Sequence, residues 1–208
     1  MKILKFSLGQ MQANCYFLIE GQNCLIIDPA DDAPFILEEL QRHRLNLVGM
    51  LATHGHFDHL MAVGEIQKSF DIPLFIHKDD KFLTDRVEQT AEYFLGYKPV
   101  ILPIKKIKNL KIDDVLRIKK FKIKIIYTPG HTPGSCCFYF KEENALFTGD
   151  TLFKDGIGRY DFSYSNKDKL KNSLENIFKL PKETIIYSGH GEDTTIQDEI
   201  NSDLPGSL

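Results

Sequence analysis

The spacing of apolar positions changes period along the chain. Three short apolar-rich runs open it, Lys2–Leu8, Asn14–Glu20 and Cys24–Asp28, separated by Gly9-Gln10 and Gly21-Gln22-Asn23. Runs of that length between turn-forming residues predict β-strands. Pro34–His43 then places Phe35, Leu37 and Leu40 at helical spacing. Leu47–Thr53 is a short apolar run, expected to be a buried strand. His54–His59 is expected as a loop feeding a helix whose stripe is Leu60, Val63, Ile66 and Phe70. Pro73–His77 predicts another strand, and Lys78–Leu95, with few strong breakers, a helix. Lys98–Leu110 is the least regular stretch and predicts an inserted connection. From Ile112 to Asp150 the pattern returns to strands: Val115–Ile118, Phe121–Tyr127, Ser135–Phe140 and Ala145–Thr148. Lysines and apolar residues partly alternate over Lys119–Ile126, the period of a strand with one wet face. A helix over Asn166–Leu180, a strand over Thr184–Ser188 and a helix over Thr194–Ile200 complete the series. Thr194 and Gln197 have capping-box spacing. This order suggests two sheets packed together with helices outside.

Composition adds limits. A chain of 208 residues fits a single domain, 1–208, with a sizeable core. A net charge of −3 leaves no basic footprint for nucleic acid and argues against a membrane surface. The lysines of Lys119–Ile126 read as a solvated face, not a polyanion site. Met1–Phe6 lacks the apolar core of a signal peptide, and no stretch reaches transmembrane length, so the expected location is the cytoplasm. Cys15, Cys24, Cys136 and Cys137 form no C-x-x-C pair. They are expected as buried thiols in strands.

The chemistry concentrates in His54-Gly55-His56-Phe57-Asp58-His59, where four strong metal ligands fall within six residues. His54 and His56 lie two apart, so in an extended segment both imidazoles can face one metal. Asp58 and His59, at a turn into a helix, can diverge toward a neighbouring one, and Gly55 is expected to let the backbone bend. Three more candidates sit beside glycines where apolar strands end: His131 in Thr128-Pro129-Gly130-His131, Asp150 in Thr148-Gly149-Asp150, and His190 in Ser188-Gly189-His190-Gly191. Ligands on loops held by a rigid scaffold are the expected form of a site. His43 and His77 lie outside this pattern and read as structural. Imidazoles and carboxylates without thiolate suit zinc, iron or manganese. Cysteine-free donor sets are characteristic of open, catalytic sites rather than closed structural ones.

With these motifs the chain resembles the metallo-β-lactamase superfamily, and within it the glyoxalase II-like group, particularly its short bacterial members. The likeness also includes Asn14-Cys15-Tyr16, Ile27-Asp28-Pro29 and Gly158-Arg159-Tyr160-Asp161-Phe162. It implies an α/β (α+β) chain forming a four-layer αββα sandwich, with two divalent metals, zinc above all, at one edge of the sheets. His54, His56 and His131 would bind the first metal, Asp58, His59 and His190 the second, and Asp150 would bridge both. β-Lactamases of the superfamily usually carry a cysteine where Asp150 stands, which argues against β-lactams as the native substrate.

The implied activity is hydrolysis of a small-molecule thioester such as S-lactoylglutathione. Two metals about 3.5–4 Å apart share a water and lower its pKa, and the resulting hydroxide attacks the carbonyl. Asp58 and Asp150 are the catalytic candidates, Asp58 also orienting the nucleophile. A thiol of pKa about 8.5 leaves without a general acid, which favours thioesters over amides. Arg159 and Tyr160 are candidate substrate contacts, although Arg159 could equally pair with a nearby Asp and brace its loop. Glyoxalase II completes its glutathione site with a helical domain after the last histidine, whereas residues 191–208 are all that follow here. The main alternative is a mononuclear iron persulfide dioxygenase, whose members share an Arg-x-Asp-Phe stretch and use ligands like His54, His131 and Asp150. A metal-binding module without catalysis, or a nuclease, fits less well.

Overall fold

A computed structural model describes residues 1–112 and 114–202. β1 (Lys2–Leu8), β2 (Ala13–Glu20) and β3 (Asn23–Ile27) form an antiparallel meander, and α1 (Ala33–Arg42) crosses to β4 (Asn46–Leu51). α2 (Val63–Ser69), β5 (Leu74–Ile76), α3 (Lys81–Thr84), α4 (Val87–Leu95) and β6 (Ile107–Asn109) follow. The first sheet runs β1-β2-β3-β4-β5-β6, with β3 to β6 parallel. The second half contains β7 (Val115–Ile118), β8 (Phe121–Tyr127), β9 (Cys136–Phe140), β10 (Ala145–Gly149), a hairpin of β11 (Leu152–Phe153) and β12 (Gly156–Ile157), α5 (Lys167–Ile177), β13 (Ile185–Ser188), β14 (Thr194–Thr195) and α6 (Ile196–Asn201). Its sheet runs β14-β13-β10-β9-β8-β7, parallel only between β10 and β13.

Side-chain alternation explains the layering. In β2, Cys15 and Phe17 face the helices α1 and α2, while Tyr16 and Leu18 face the opposite sheet. In β9, Phe138 and Phe140 enter the space between the sheets, and Cys137 and Tyr139 pack under α5 with Leu170 and Leu174. Strands buried on both faces read as continuous apolar runs. Three apolar layers therefore separate four layers of secondary structure, helix-sheet-sheet-helix. The four cysteines are buried free thiols within strands. On β8, Lys122 and Lys124 are exposed while Phe121, Ile123 and Ile125 are buried.

Four expectations change. Lys78–Leu95 is not one helix: it divides into a 3-10 turn, α3 and α4, with a break at Asp85-Arg86. There Thr84 Oγ1 donates to the Lys81 carbonyl at 2.7 Å, competing with the helical ladder. The break lets Leu83 abut Gly55 while Phe94 of α4 stacks on Phe57. Lys98–Leu110 is not wholly irregular, since its end supplies the edge strand β6. The last helix starts at Ile196, capped by Thr195, whose Oγ1 accepts from Asp198 N at 3.1 Å. Thr194 instead lies in β14 and donates to Glu199 Oε1, so the Thr194–Gln197 box does not form. The β11–β12 hairpin, too short for a periodicity signal, carries part of the site wall. Among the described residues no helix is long and apolar enough to cross a membrane.

Candidate metal centre

Strand direction brings the candidate residues together. β8 and β10 are both antiparallel to β9, and β13 is parallel to β10, so β8, β10 and β13 end at the same edge of the second sheet. His131, Asp150 and His190 lie just beyond those three ends. The loop after β4, carrying His54 to His59, reaches the same edge from the first sheet. Cys136 N donates to the Thr53 carbonyl at 2.8 Å, and Asn14 N to the Gly189 carbonyl at 2.7 Å, tying the two sheets there.

The seven residues form two groups. His54, His56, His131 and Asp150 make one and Asp58, His59 and His190 the other, and within each group the donor atoms lie within 4.8 Å of one another. Asp150 serves both: its carboxylate is 3.6 Å from His131 Nε2, 3.4 Å from His59 Nε2 and 3.8 Å from His190 Nε2. His190 Nε2 is 3.2 Å from Asp58 Oδ2.

Each of four histidines has one ring nitrogen held from behind. His131 Nδ1 donates to the Arg159 carbonyl at 2.8 Å, and His59 Nδ1 to Asp28 at 3.0 Å. His54 Nδ1 meets Thr53 Oγ1 at 3.0 Å, and that hydroxyl donates to Asp28 Oδ2 at 2.7 Å. His56 Nε2 meets the Tyr164 hydroxyl at 2.9 Å. In a neutral imidazole, a ring nitrogen that donates outward leaves the other with a lone pair facing inward. His54 Nε2, His59 Nε2 and Asp150 Oδ1 are buried without a hydrogen-bond partner. His131 Nε2 and His56 Nδ1, facing each other at 3.0 Å, need a cation or proton between them. Inward lone pairs and buried orphan acceptors fit divalent metal ions.

The electrostatics differ between the two groups. Burial holds the His54 imidazole well below its usual range and the His56 imidazole at about 3, so both stay neutral. Burial opposes the charge on Asp150, yet neighbouring His59 outweighs it and keeps the carboxyl ionised far below its usual range. Asp58 is also lowered, by His59 and a hydrogen bond from His190, against burial. Burial disfavours charge on His59, yet Asp58, Asp150 and Asp28 raise its imidazole well above its usual range, and a hydrogen bond to Asp58 raises His190 against burial. His54 and His56 are thus already in the neutral form that binds metal, whereas an ion at His59 and His190 would displace protons.

Glycine next to these groups is required by space. A Cβ on Gly189 would stand 2.2 Å from Asp150 Oδ1 and 2.8 Å from His59 Cε1. Gly55 serves a purpose other than the expected bend: its Cβ would stand 2.7 Å from Leu83 Cβ and 3.0 Å from the Asp80 carbonyl, so its role is close approach.

A cavity of about 310 Å³ opens over the donors, walled by aromatic and aliphatic side chains. Arg159 lines it, but its guanidinium forks onto Asp161 at 2.9 and 2.8 Å and lies over the Phe162 ring. The ion pair expected as one of its two roles is present, while the side chain also faces the cavity. Tyr160 is not among the residues lining the cavity; its ring lies under Lys167. His43 pairs with Glu39, and His77 caps a 3-10 turn, both away from the donors.

Three supporting residues escaped the motif reading. Asp28 stands behind His59 and Thr53, and Tyr164 behind His56. Asp80, fully buried, accepts from Gly55 N at 2.8 Å, Thr132 Oγ1 at 2.7 Å and Gly134 N at 2.6 Å, clamping the His54 loop to the His131 loop. Asp28 lies within Ile27-Asp28-Pro29, a shared motif that gives it no role by itself, whereas Asp80 lies inside a charged run that looks like a helix surface.

Comparison with known proteins agrees with this geometry. The family model described as the metallo-beta-lactamase superfamily matches residues 8–190. The hydroxyacylglutathione hydrolase GloC of Haemophilus influenzae is 34% identical over 97% of this chain and 96% of its own. The crystal structure of the BLEG-1 B3 metallo-beta-lactamase superposes with a TM-score of 0.89 at 34% identity, covering 96% of this chain and 97% of its own. That of TTHA1623 in a di-iron-bound form superposes with a TM-score of 0.89 at 32% identity, covering 96% and 98%.

Proposed function

The chain belongs to the metallo-beta-lactamase superfamily, and on that premise we propose that it is a dinuclear metal-dependent hydrolase acting on thioesters, similar to hydroxyacylglutathione hydrolases. The observation that carries the reading is the pair of donor groups sharing Asp150, with their lone pairs turned inward. His54, His56 and His131 would hold one ion, Asp58, His59 and His190 the other, and Asp150 both. Two bound divalent ions supply Lewis acidity and a water nucleophile ionised near neutral pH.

The protein's own residues do the rest. Asp28, Thr53, Tyr164 and the Arg159 carbonyl fix four imidazoles by their outer nitrogens, so the donors need no reorganisation during turnover. Asp58 lines the cavity, its Oδ2 3.2 Å from His190 Nε2, and would accept a hydrogen bond from the attacking water. The apolar walls limit bulk water around the scissile carbonyl. Among the described residues lining the cavity no histidine outside the donor set is free to protonate an amine, and a departing thiolate needs no acid. This supports thioesters over amides. The proposed partner is a small-molecule thioester, and the proposed ions are zinc, with iron or manganese as alternatives; the di-iron form of TTHA1623 makes iron a necessary part of the test.

The test is elemental analysis of protein purified without added metal. Parallel assays follow on S-lactoylglutathione, glutathione persulfide and a β-lactam, the last because BLEG-1 carries a β-lactamase name. Two ions per chain with thiol release from the thioester are expected. One iron per chain with oxygen uptake on the persulfide would overturn the reading.

A further inference from the structure

The cavity over the donors is built from apolar side chains on five separate segments. Met11 stands on the turn between β1 and β2, Phe57 on the ligand loop, Phe94 on α4, Phe153 and Ile157 on the β11–β12 hairpin, and Phe162 on the loop beyond. Met11 and Phe94 at the mouth remain 41% and 43% exposed, and beside Phe94 on α4 Tyr93 is 81% exposed. Exposed apolar groups gathered around one opening mark a binding surface more than a packing need. The polar lining residues outside the donor set are already engaged or uncharged. Arg159 is forked by Asp161, the Tyr164 hydroxyl is held at His56, and Thr90 brings only a hydroxyl. A ligand carboxylate or ammonium set against these walls would lose water without gaining a partner. A hydrocarbon chain would gain from every methylene it buries there.

We propose that the substrate is a thioester with an extended apolar acyl group, seated between Phe94 on one side and Phe153, Ile157 and Phe162 on the other, its carbonyl over the donors. This rests on the hydrolase reading above and narrows it. Water adds to the carbonyl carbon, a C–O bond forms and the C–S bond breaks. The products are a fatty or aromatic carboxylic acid and a free thiol, with no change of oxidation state. Among the cavity's lining residues the anionic glutathione part of S-lactoylglutathione would meet only Arg159, already paired with Asp161, so that ester is turned over more slowly than the apolar series.

The experiment uses the full chain loaded with metal. The kcat/KM values of acetyl, butanoyl, hexanoyl and octanoyl thioesters of N-acetylcysteamine are measured by thiol release, with S-lactoylglutathione alongside. The expected result is a rise of about fourfold per methylene until the walls are filled. S-Lactoylglutathione should fall at least roughly tenfold below the best of the series. Phe94→Ser should flatten the dependence on chain length. A flat or falling series, or S-lactoylglutathione exceeding every member, would overturn the proposal. Calorimetric binding of the matching non-hydrolysable alkyl thioethers separates this inference from the activity. If no ester is hydrolysed yet affinity climbs with chain length, the hydrolase reading falls and apolar recognition stands. If affinity is also flat, both fall.

Discussion

Replacing Asp80 with asparagine separates what this buried carboxylate does for geometry from what it does to stability. Asp80 carries three donors on two oxygens, from Gly55, Thr132 and Gly134, and among the described residues it forms no ion pair. Burial raises its carboxyl to about 6 from 3.8, the three hydrogen bonds pulling the other way. Between those values the folded chain keeps a proton that the unfolded chain has released, so rising pH favours unfolding. The contribution is fully present below the unfolded value and is lost as pH climbs through about 6. A shift of some two units corresponds to roughly 3 kcal/mol at pH 7. The uncharged amide removes that term. It also turns an N–H toward at least one of the three donors, leaving a buried group unpaired at about 1–3 kcal/mol.

The two effects nearly cancel at neutral pH and do not cancel in acid. In metal-free protein followed by urea unfolding, Asp80→Asn should therefore be close to the parent in stability at pH 7. Relative to the parent it should lose about 2 kcal/mol between pH 7 and pH 4. The clamp would loosen at every pH, so metal held by the His54, His56 and His131 group should weaken even where stability is unchanged. A stability difference independent of pH would refute the raised carboxyl. Unchanged metal affinity would refute the clamp.

Other outcomes follow from the same contacts. Gly189→Ala would drive a methyl group onto Asp150 and His59, and both ions should be lost on dialysis while far-ultraviolet circular dichroism is kept; full occupancy would count against a bridging Asp150. Asp28→Ala removes the acceptor behind His59 and Thr53, so occupancy in the Asp58–His59–His190 group should fall about 10- to 100-fold in affinity, read by competition with a chelating dye. Removing metal from the parent should lower its melting temperature. Restoring zinc at about a thousandfold excess over its dissociation constant should return about 4 kcal/mol; a melting temperature indifferent to metal would show that the inward lone pairs do not meet an ion.

The parts of this molecule differ in how they can be read from the chain, and the reason is chemical. His54, His56, Asp58, His59, His131, Asp150 and His190 were legible because imidazoles beside glycines at strand ends are scarce, so their pattern stands out against the rest. The layered core was legible because a strand buried on both faces, such as Cys136–Phe140, has no polar position. Asp80 was not legible. In sequence it is one charge among Lys78-Asp79-Asp80-Lys81, a stretch whose obvious reading is a wet helix. It closes the 3-10 turn Lys78–Asp80 ahead of α3 and is the buried residue of that turn, which nothing in the charged run marks. The cavity walls were hidden for the opposite reason. Phe94, Phe153 and Phe162 look like core residues, and nothing in a period of two or of 3.6 tells an apolar side chain that fills a core from one that waits for a ligand. Donor sets can therefore be recovered from sequence while substrate class cannot. The donors are rare residues, whereas the walls are common ones whose meaning comes from which of them are left uncovered.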